Sequence, residues 1–310
     1  MTKLEAILNS ASNLYVLDLS WHLHRNYHVF DKMGINIDGY VRPTGHLYGV
    51  LSTIKMIKQH DSDAVIIITE DGVPQERIEA LSGEEQTYKE GRAELDFNFY
   101  KDIPLLKAAA CILPKVYWAF NEDKECDDLM YALAKQACKC TNFTGKCFIY
   151  SGDNDLLQAI DERISVIRNK SKDGFEEITN YTVQTDEKFV KKFHGVDTKH
   201  ISNYRAICGD PSDKIKGIPR FPRDLAVKIA QSTESIMDGW TYCPQSETEK
   251  KWMDRLFEEI EIVRRNYKVM KLTDEFEVNL SKPSVKKENL YKTLDNMQLR
   301  SYIKYLNEML

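Results

Sequence analysis

Residues 64–71 read AVIIITED: five apolar residues and a threonine, then two adjacent carboxylates. The run suits one buried strand and falls far short of the roughly 18 apolar residues that a membrane span needs. Working outward, four more runs of this kind occur, Leu14 to Leu17, Lys115 to Ala119, Cys147 to Tyr150 and Ile164 to Ile167. They alternate with helical patterns such as His46 to about His60, where Leu47, Val50, Leu51, Ile54 and Ile57 share one face. This alternation predicts an α/β fold with a mainly parallel central sheet flanked by helices. Asp173-Gly174 then reads as a hairpin turn at the sheet's edge, closing the first domain.

From about residue 186 the pattern becomes helical, predicting a core domain over 1–185 and a helical region over 186–310. A helix is expected from Glu247 to about Tyr267 and another from about Asn296 to Leu310. Their apolar stripes, Leu256, Ile260 and Val263 on one and Leu299, Ile303 and Leu306 on the other, read as packing faces. Residues 72–102 form a polar insertion inside the core domain, longer than an ordinary connection and poor in apolar periodicity. The chain has 310 residues, 42% hydrophobic and 29% charged, enough to bury a core without disulfides. No membrane span and no secretory signal are read, so a soluble cytoplasmic protein is expected, in a bacterium or a phage-infected cell. The seven cysteines are odd in number and read as free thiols; Cys138, Cys140 and Cys147 miss the spacing of common zinc sites.

Acids recur where the apolar runs end. Asp18 ends the first (YVLD), Glu70-Asp71 the second (IIITED), and Asp153 and Asp155 follow the fourth (FIYSGDND), while Glu125-Cys126-Asp127-Asp128 opens the helix after the third. In an open parallel sheet, ligands bind beyond the carboxyl ends of the strands. Each acid alone has an ordinary structural reading: Asp127 and Asp128 can stabilise a helix start, Asp153 can cap a helix, and Asp71-Gly72 can make a turn. Together, so many like charges raise one another's pKa unless a cation neutralises them. Oxygen ligands without cysteine or histidine favour Mg²⁺ or Mn²⁺ over zinc.

Six segments, VLDLSWHLHRNY (16–27), RPTGHLYG (42–49), YKEGR (88–92), ECDDLMYALA (125–134), SGDNDLLQ (151–158) and GDPSDKIKGIP (209–219), occur in this order. In that order they resemble the motifs of the 5′ nuclease family, the flap endonucleases and 5′-3′ exonucleases. No polymerase domain follows in the sequence, so the resemblance is to the stand-alone versions of phages and some bacteria. It implies a PIN-like nuclease core. It implies that Asp18, Asp71, Glu125 and Asp127 hold one metal and that Asp153, Asp155, Asp210 and Asp213 surround a second, with Asp128 nearby. Two such ions can bind both sides of an in-line displacement at phosphorus, so the implied reaction is phosphodiester hydrolysis.

The resemblance also assigns Tyr88, Lys89 and Arg92 to the YKxxR element, whose lysine and arginine reach the scissile phosphate and can stabilise charge in the transition state. Arg25 matches another basic family position, with Arg77 a weaker candidate for a phosphate contact. In the family the insertion arches over the active site and single-stranded ends pass through it. Here residues 70–96 carry nine acids against three bases, which works against threading. From 188 to 228 the sign reverses, ten bases against four acids, a candidate duplex-binding surface held through phosphates. The family has a helix-three-turn-helix there, about 186–232, often with a potassium ion in its glycine-rich hairpin. Gly217-Ile218-Pro219 is kept, but Arg220-Phe221-Pro222-Arg223 replaces the glycine-containing turn, which works against potassium. Lys214 and Lys216, with Arg220 and Arg223, can contact phosphates instead.

The expected protein is a monomeric, structure-specific nuclease with two Mg²⁺ or Mn²⁺ ions. It would remove 5′ flaps, degrade 5′ ends or remove RNA primers in replication and repair, on branched DNA and RNA–DNA hybrids and alongside replication proteins. Two alternatives stand: a branched-DNA-binding protein without catalysis, which the full acidic set opposes, and a PIN-like ribonuclease, since strand-end acids alone do not separate RNA from DNA.

Overall fold

The computed structural model describes residues 2–81, 99–169 and 174–310. Tyr88, Lys89, Arg92 and Asp173 lie outside the described residues. The chain divides into two compact units, one built from 2–73, 99–153 and 274–310, the other from 74–81, 154–169 and 174–273.

In the first unit, β1 (Leu14–Asp18), β2 (Val65–Glu70), β3 (Val116–Phe120) and β4 (Cys147–Tyr150) run parallel, in the order β3-β2-β1-β4. Parallel strands need crossovers, and the helices that supply them are α1 (Leu19–Val29), α2 (Gly45–His60), α3 (Ile103–Cys111) and α4 (Cys126–Lys139). Both sheet faces are covered, so the strands carry continuous apolar runs: Leu14, Val16, Leu17 and Val65 through Ile68 have no exposed surface. All five expected residues of the α2 face are buried, each contributing roughly 1.5–3 kcal/mol. The mainly parallel α/β fold is therefore as the sequence indicates.

Register is what aligns the strand ends. Asp18 lies level with Thr69 and Leu17 level with Tyr150, so Asp18, Asp71 and the 151–153 turn all emerge at one edge of the sheet. Several strands escaped the sequence reading, among them the hairpin of Gly34–Ile37 with Tyr40–Pro43 and a strand beyond residue 186, where that reading has strands stop. Asn279–Ser281 pairs antiparallel with β3, and at three residues, only Leu280 of them buried, it is too short to show a period.

The second unit opens with an antiparallel hairpin, β5 (Ile164–Asn169) and β6 (Phe175–Ile178), where the Asp173-Gly174 turn was expected. Helices follow: α5 (Ile201–Cys208), α6 (Arg223–Ala230), α7 (Glu247–Glu258) and α8 (Ile260–Met270). The single helix expected over 247–267 is two, broken at Glu259. Between α5 and α6 the two-residue strands Gly209–Asp210 and Ile215–Lys216 pair antiparallel.

Candidate active site

The first unit gathers Asp18, Asp71 and Asp153. Asp18 caps α1, its Oδ1 accepting from Trp21 N at 2.9 Å, while Oδ2 accepts from the Ser151 hydroxyl at 2.6 Å. That hydroxyl in turn accepts from Asp153 N at 3.0 Å, fixing the turn after β4. Asp71 Oδ1 accepts from Cys126 N at 2.7 Å, at the start of α4, and Oδ2 accepts from the Ser20 hydroxyl. Asp18 and Asp71 therefore each bind the positive end of a helix. That does not fully offset burial. Asp18 is 5% exposed, and burial first, then the negative charges of Asp71 and Asp153, push its pKa up to about 7 against the hydrogen bonds of Ser151 and Trp21. A carboxyl held near neutrality by burial and like charge is one that a bound cation would ionise.

The other strand-end acids divide. Glu125 and Asp128 are buried at the start of α4 and Asp127 is half-buried in its first turn. Glu70 accepts from the indole nitrogen of buried Trp118 at 2.6 Å, a structural tie to β3. Asp153 is exposed and is an electrostatic neighbour of Asp18. The residue at the N-cap position of the following 3₁₀ turn, Asp155–Ala159, is Asn154.

The second unit holds a tighter set. Asp155, Asp210 and Asp213 each offer one carboxylate oxygen, all within 4.8 Å of one another, and they are the one such group among the described residues. Gly209 makes this possible. Its φ of +72° is left-handed, and a Cβ there would stand 2.3 Å from Gly217 N and Ile215 O, so only glycine turns the chain out of α5 and into Asp210. Asp210 is 3% exposed; Oδ1 accepts from Ser212 N at 2.8 Å and from the Ser212 hydroxyl. Burial raises its pKa, but the Arg205 charge and the Ser212 bonds outweigh that and hold it below the usual carboxylate value. Asp210 Oδ2 is buried without an aligned hydrogen bond. Three hard oxygens at ligand spacing fit Mg²⁺ or Mn²⁺ better than a soft metal.

The candidate basic residues are spread over both units. Arg25, on α1, stacks over Trp21 at 5.6 Å and donates to Asn26 Oδ1 at 3.1 Å. Arg77 is half-buried on the short helix Gln75–Ala80. Lys214, Lys216, Arg220 and Arg223 are exposed, with Arg223 Nη1 donating to Cys208 O at 3.3 Å. Arg220 takes φ +62°, a left-handed conformation held without glycine's freedom. Arg205, counted in the sequence among ten bases of a DNA-facing surface, is instead 4% exposed and faces Asp155 and Asp210. Sequence reasoning passed over Ser20, Ser151 and Ser212, whose hydroxyls orient the acids. Their signal was adjacency: each lies within two residues of a quoted acid.

Comparison with known proteins follows the same lines. The family model for the 5′-3′ exonuclease N-terminal resolvase-like domain matches residues 13–194. A 5′-3′ exonuclease of Aquifex aeolicus is 25% identical over 307 residues, covering 96% of each chain. Among solved structures, the T5 5′-exonuclease with bound zinc has a TM-score of 0.59 at 18% identity, over 82% of this chain and 88% of that one. Flap endonuclease-1 from Methanococcus jannaschii has a TM-score of 0.55 at 14% identity, over 100% and 95%. The two structures share the fold, and the family model spans more than half of the sequence. The chain belongs to the 5′-3′ exonuclease family.

Proposed function

We propose that the protein is a structure-specific, divalent-metal-dependent 5′ nuclease that hydrolyses phosphodiester bonds at 5′ flaps or 5′ ends of DNA. The observation that carries this reading is the grouping of Asp155, Asp210 and Asp213 within 4.8 Å, with the Asp18 pKa pushed up to about 7 by burial first and then by the charges of Asp71 and Asp153. The names of its relatives support it: an exonuclease by sequence, and an exonuclease and a flap endonuclease by fold.

Asp18, Asp71, Glu125 and Asp127 are read as one metal set, and Asp153, Asp155, Asp210 and Asp213 as the other, with Asp128 nearby. Mg²⁺ is the preferred occupant because every ligand is a hard oxygen. When bound, such ions supply a water nucleophile at neutral pH and a Lewis acid at phosphorus. The chain's own part is orientation: Ser151 and Trp21 N hold Asp18, Ser20 and Cys126 N hold Asp71, and Ser212 holds Asp210. Lys89 and Arg92, beside Tyr88, are assigned to the scissile phosphate on their motif alone. Arg25, Arg77, Lys214, Lys216, Arg220 and Arg223 are assigned to backbone phosphates, with 186–232 as the duplex-binding region. RNA primers in RNA–DNA hybrids are a further expected substrate.

A labelled 5′-flap duplex tests this. Cleavage is expected in Mg²⁺ and not in chelator, and Asp153→Ala with Asp155→Ala should lower the rate at least about a hundredfold. Unaltered cleavage by the double variant would remove the assignment of both acids. Wild-type protein that binds the fork but leaves it uncut in Mg²⁺ and Mn²⁺ would point to a binding protein without catalysis. Preference for an RNA flap of equal shape would point to a ribonuclease.

A further inference from the structure

The guanidinium of Arg205 lies among the carboxylates of the second unit. Its Nη1 is against Asp155 Oδ1 and its Nη2 is 2.9 Å from Asp210 Oδ2. Its Cζ sits 5.5 Å from the centre of the Phe193 ring, so an aromatic face backs the cation. The side chain is 4% exposed, and an arginine so buried stays charged. We propose that Arg205 is a resident counter-cation of the Asp155–Asp210–Asp213 set, which a divalent ion must displace from Asp210 Oδ2, so that Arg205 weakens metal binding. This rests on the reading of those three acids as a metal site.

Three observations carry it. First, charge: three carboxylates at ligand spacing in a largely buried place repel one another, and Arg205 is the cation the structure puts between two of them. Second, valence: Asp210 Oδ1 already accepts twice from Ser212, so the side of Asp210 open to a cation is Oδ2, which the guanidinium faces. Third, replaceability: neither Asp210 Oδ2 nor Arg205 Nη1 has an aligned hydrogen bond, so the contacts are charge pairing that a more compact dication can take over. A guanidinium and a dication at one carboxylate edge repel each other. A cleft of about 340 Å³ beside Asp210, with Lys191, Lys192 and Arg223 also on its wall, gives the displaced side chain room. Arg205 is therefore a positioning residue of the three acids and not one of the phosphate contacts.

The test is Mn²⁺ alone, without DNA, titrated into the full chain and followed by the electron paramagnetic resonance of free Mn²⁺ and by thermal melting. Arg205→Met is expected to bind one Mn²⁺ at least about tenfold more tightly than wild type, a 1.4 kcal/mol gain, to melt lower in chelator, and to regain its melting temperature in Mn²⁺. Arg205→Lys, which keeps the charge, should stay near wild-type affinity. A merely structural arginine would give the opposite sign, because carboxylates left unsupported bind a cation more weakly. Equal or weaker binding by Arg205→Met therefore overturns the proposal. If that variant folds in Mn²⁺ but not in chelator, the cation has replaced the guanidinium, as expected. If it folds in neither, Arg205→Gln decides, with tighter binding expected and unchanged or weaker binding overturning. Asp213→Asn separates the two levels: if it leaves Mn²⁺ binding unchanged in wild type, the metal-site reading itself fails.

Discussion

Lys58 shows how a single buried charge makes pH a probe of the fold. Its ammonium donates to Ala64 O at 2.6 Å and to Ser62 O at 3.3 Å at the end of α2, and the residue is 4% exposed. Burial first, and then the neighbouring Lys115 charge, lower its pKa to about 8. The folded state thus releases its proton at lower pH than the unfolded state does. Stability withheld while both states are protonated is gained as pH rises from about 8 through the unfolded value of 10.5. Against Lys58→Met, the wild type should gain on the order of 1–3 kcal/mol between pH 8 and 10.5, read from paired urea titrations. Identical pH dependence would refute the shift. The acids are a different kind of residue. Asp18, Asp71, Asp153 and Asp155 could be picked out in the sequence because each follows an apolar run, where parallel-sheet geometry puts ligands. Arg205 could not be placed the same way. Its carboxylate partner Asp155 is 50 positions away, and a basic residue among nine others reads as surface until packing shows otherwise.

At the scale of elements, what holds the second acidic set in place is a contact of α8 with the end of α5 and the loop that follows it. Asn266 of α8 is fully buried, and its Nδ2 donates to Ala206 O at 3.1 Å and to Lys216 O at 2.9 Å. Asn266→Leu keeps the bulk but leaves two buried carbonyls without a donor. It should cost about 1–3 kcal/mol in chemical denaturation, and Asn266→Asp should not restore it because a carboxylate has no donor. Gly209→Ala acts on the same loop by sterics. Its added Cβ meets backbone at 2.3 Å in a left-handed turn, so it should destabilise by at least about 1 kcal/mol and weaken Mn²⁺ binding together with it. Wild-type stability would show that the turn relaxes. The same contact explains a missed boundary. Nothing in Glu258-Glu259-Ile260 marks a stop, since no glycine or proline is present, yet the chain breaks at Glu259 and α8 packs with Val263 and Asn266 buried. A tertiary anchor ended the helix, and local pattern reading cannot see it.

For the molecule as a whole, linear reading captured the alternation that makes the sheet and lost the return of the chain. Residues 274–310 belong with the first unit, because a three-residue strand and helices Lys287–Asn296 and Arg300–Met309 carry no signal of which core they join. Charge, by contrast, is additive along the sequence and survives folding. The chain is −5 overall, yet 188–228 has ten bases to four acids, and removing buried Arg205 from the count still leaves that region basic. A surface of this sign on an acidic protein binds DNA through phosphates, with affinity falling linearly in log–log form as salt rises. Lys214→Ala with Lys216→Ala should therefore weaken binding to a duplex of any sequence and lower the salt slope by about 2, one per lost phosphate contact, in fluorescence anisotropy from low to physiological salt. Arg205→Met in the same assay should leave the slope unchanged, since its charge is spent on Asp155 and Asp210. A slope that falls for Arg205→Met and not for the lysine pair would reverse the two assignments, making the buried arginine the DNA contact and the exposed lysines bystanders.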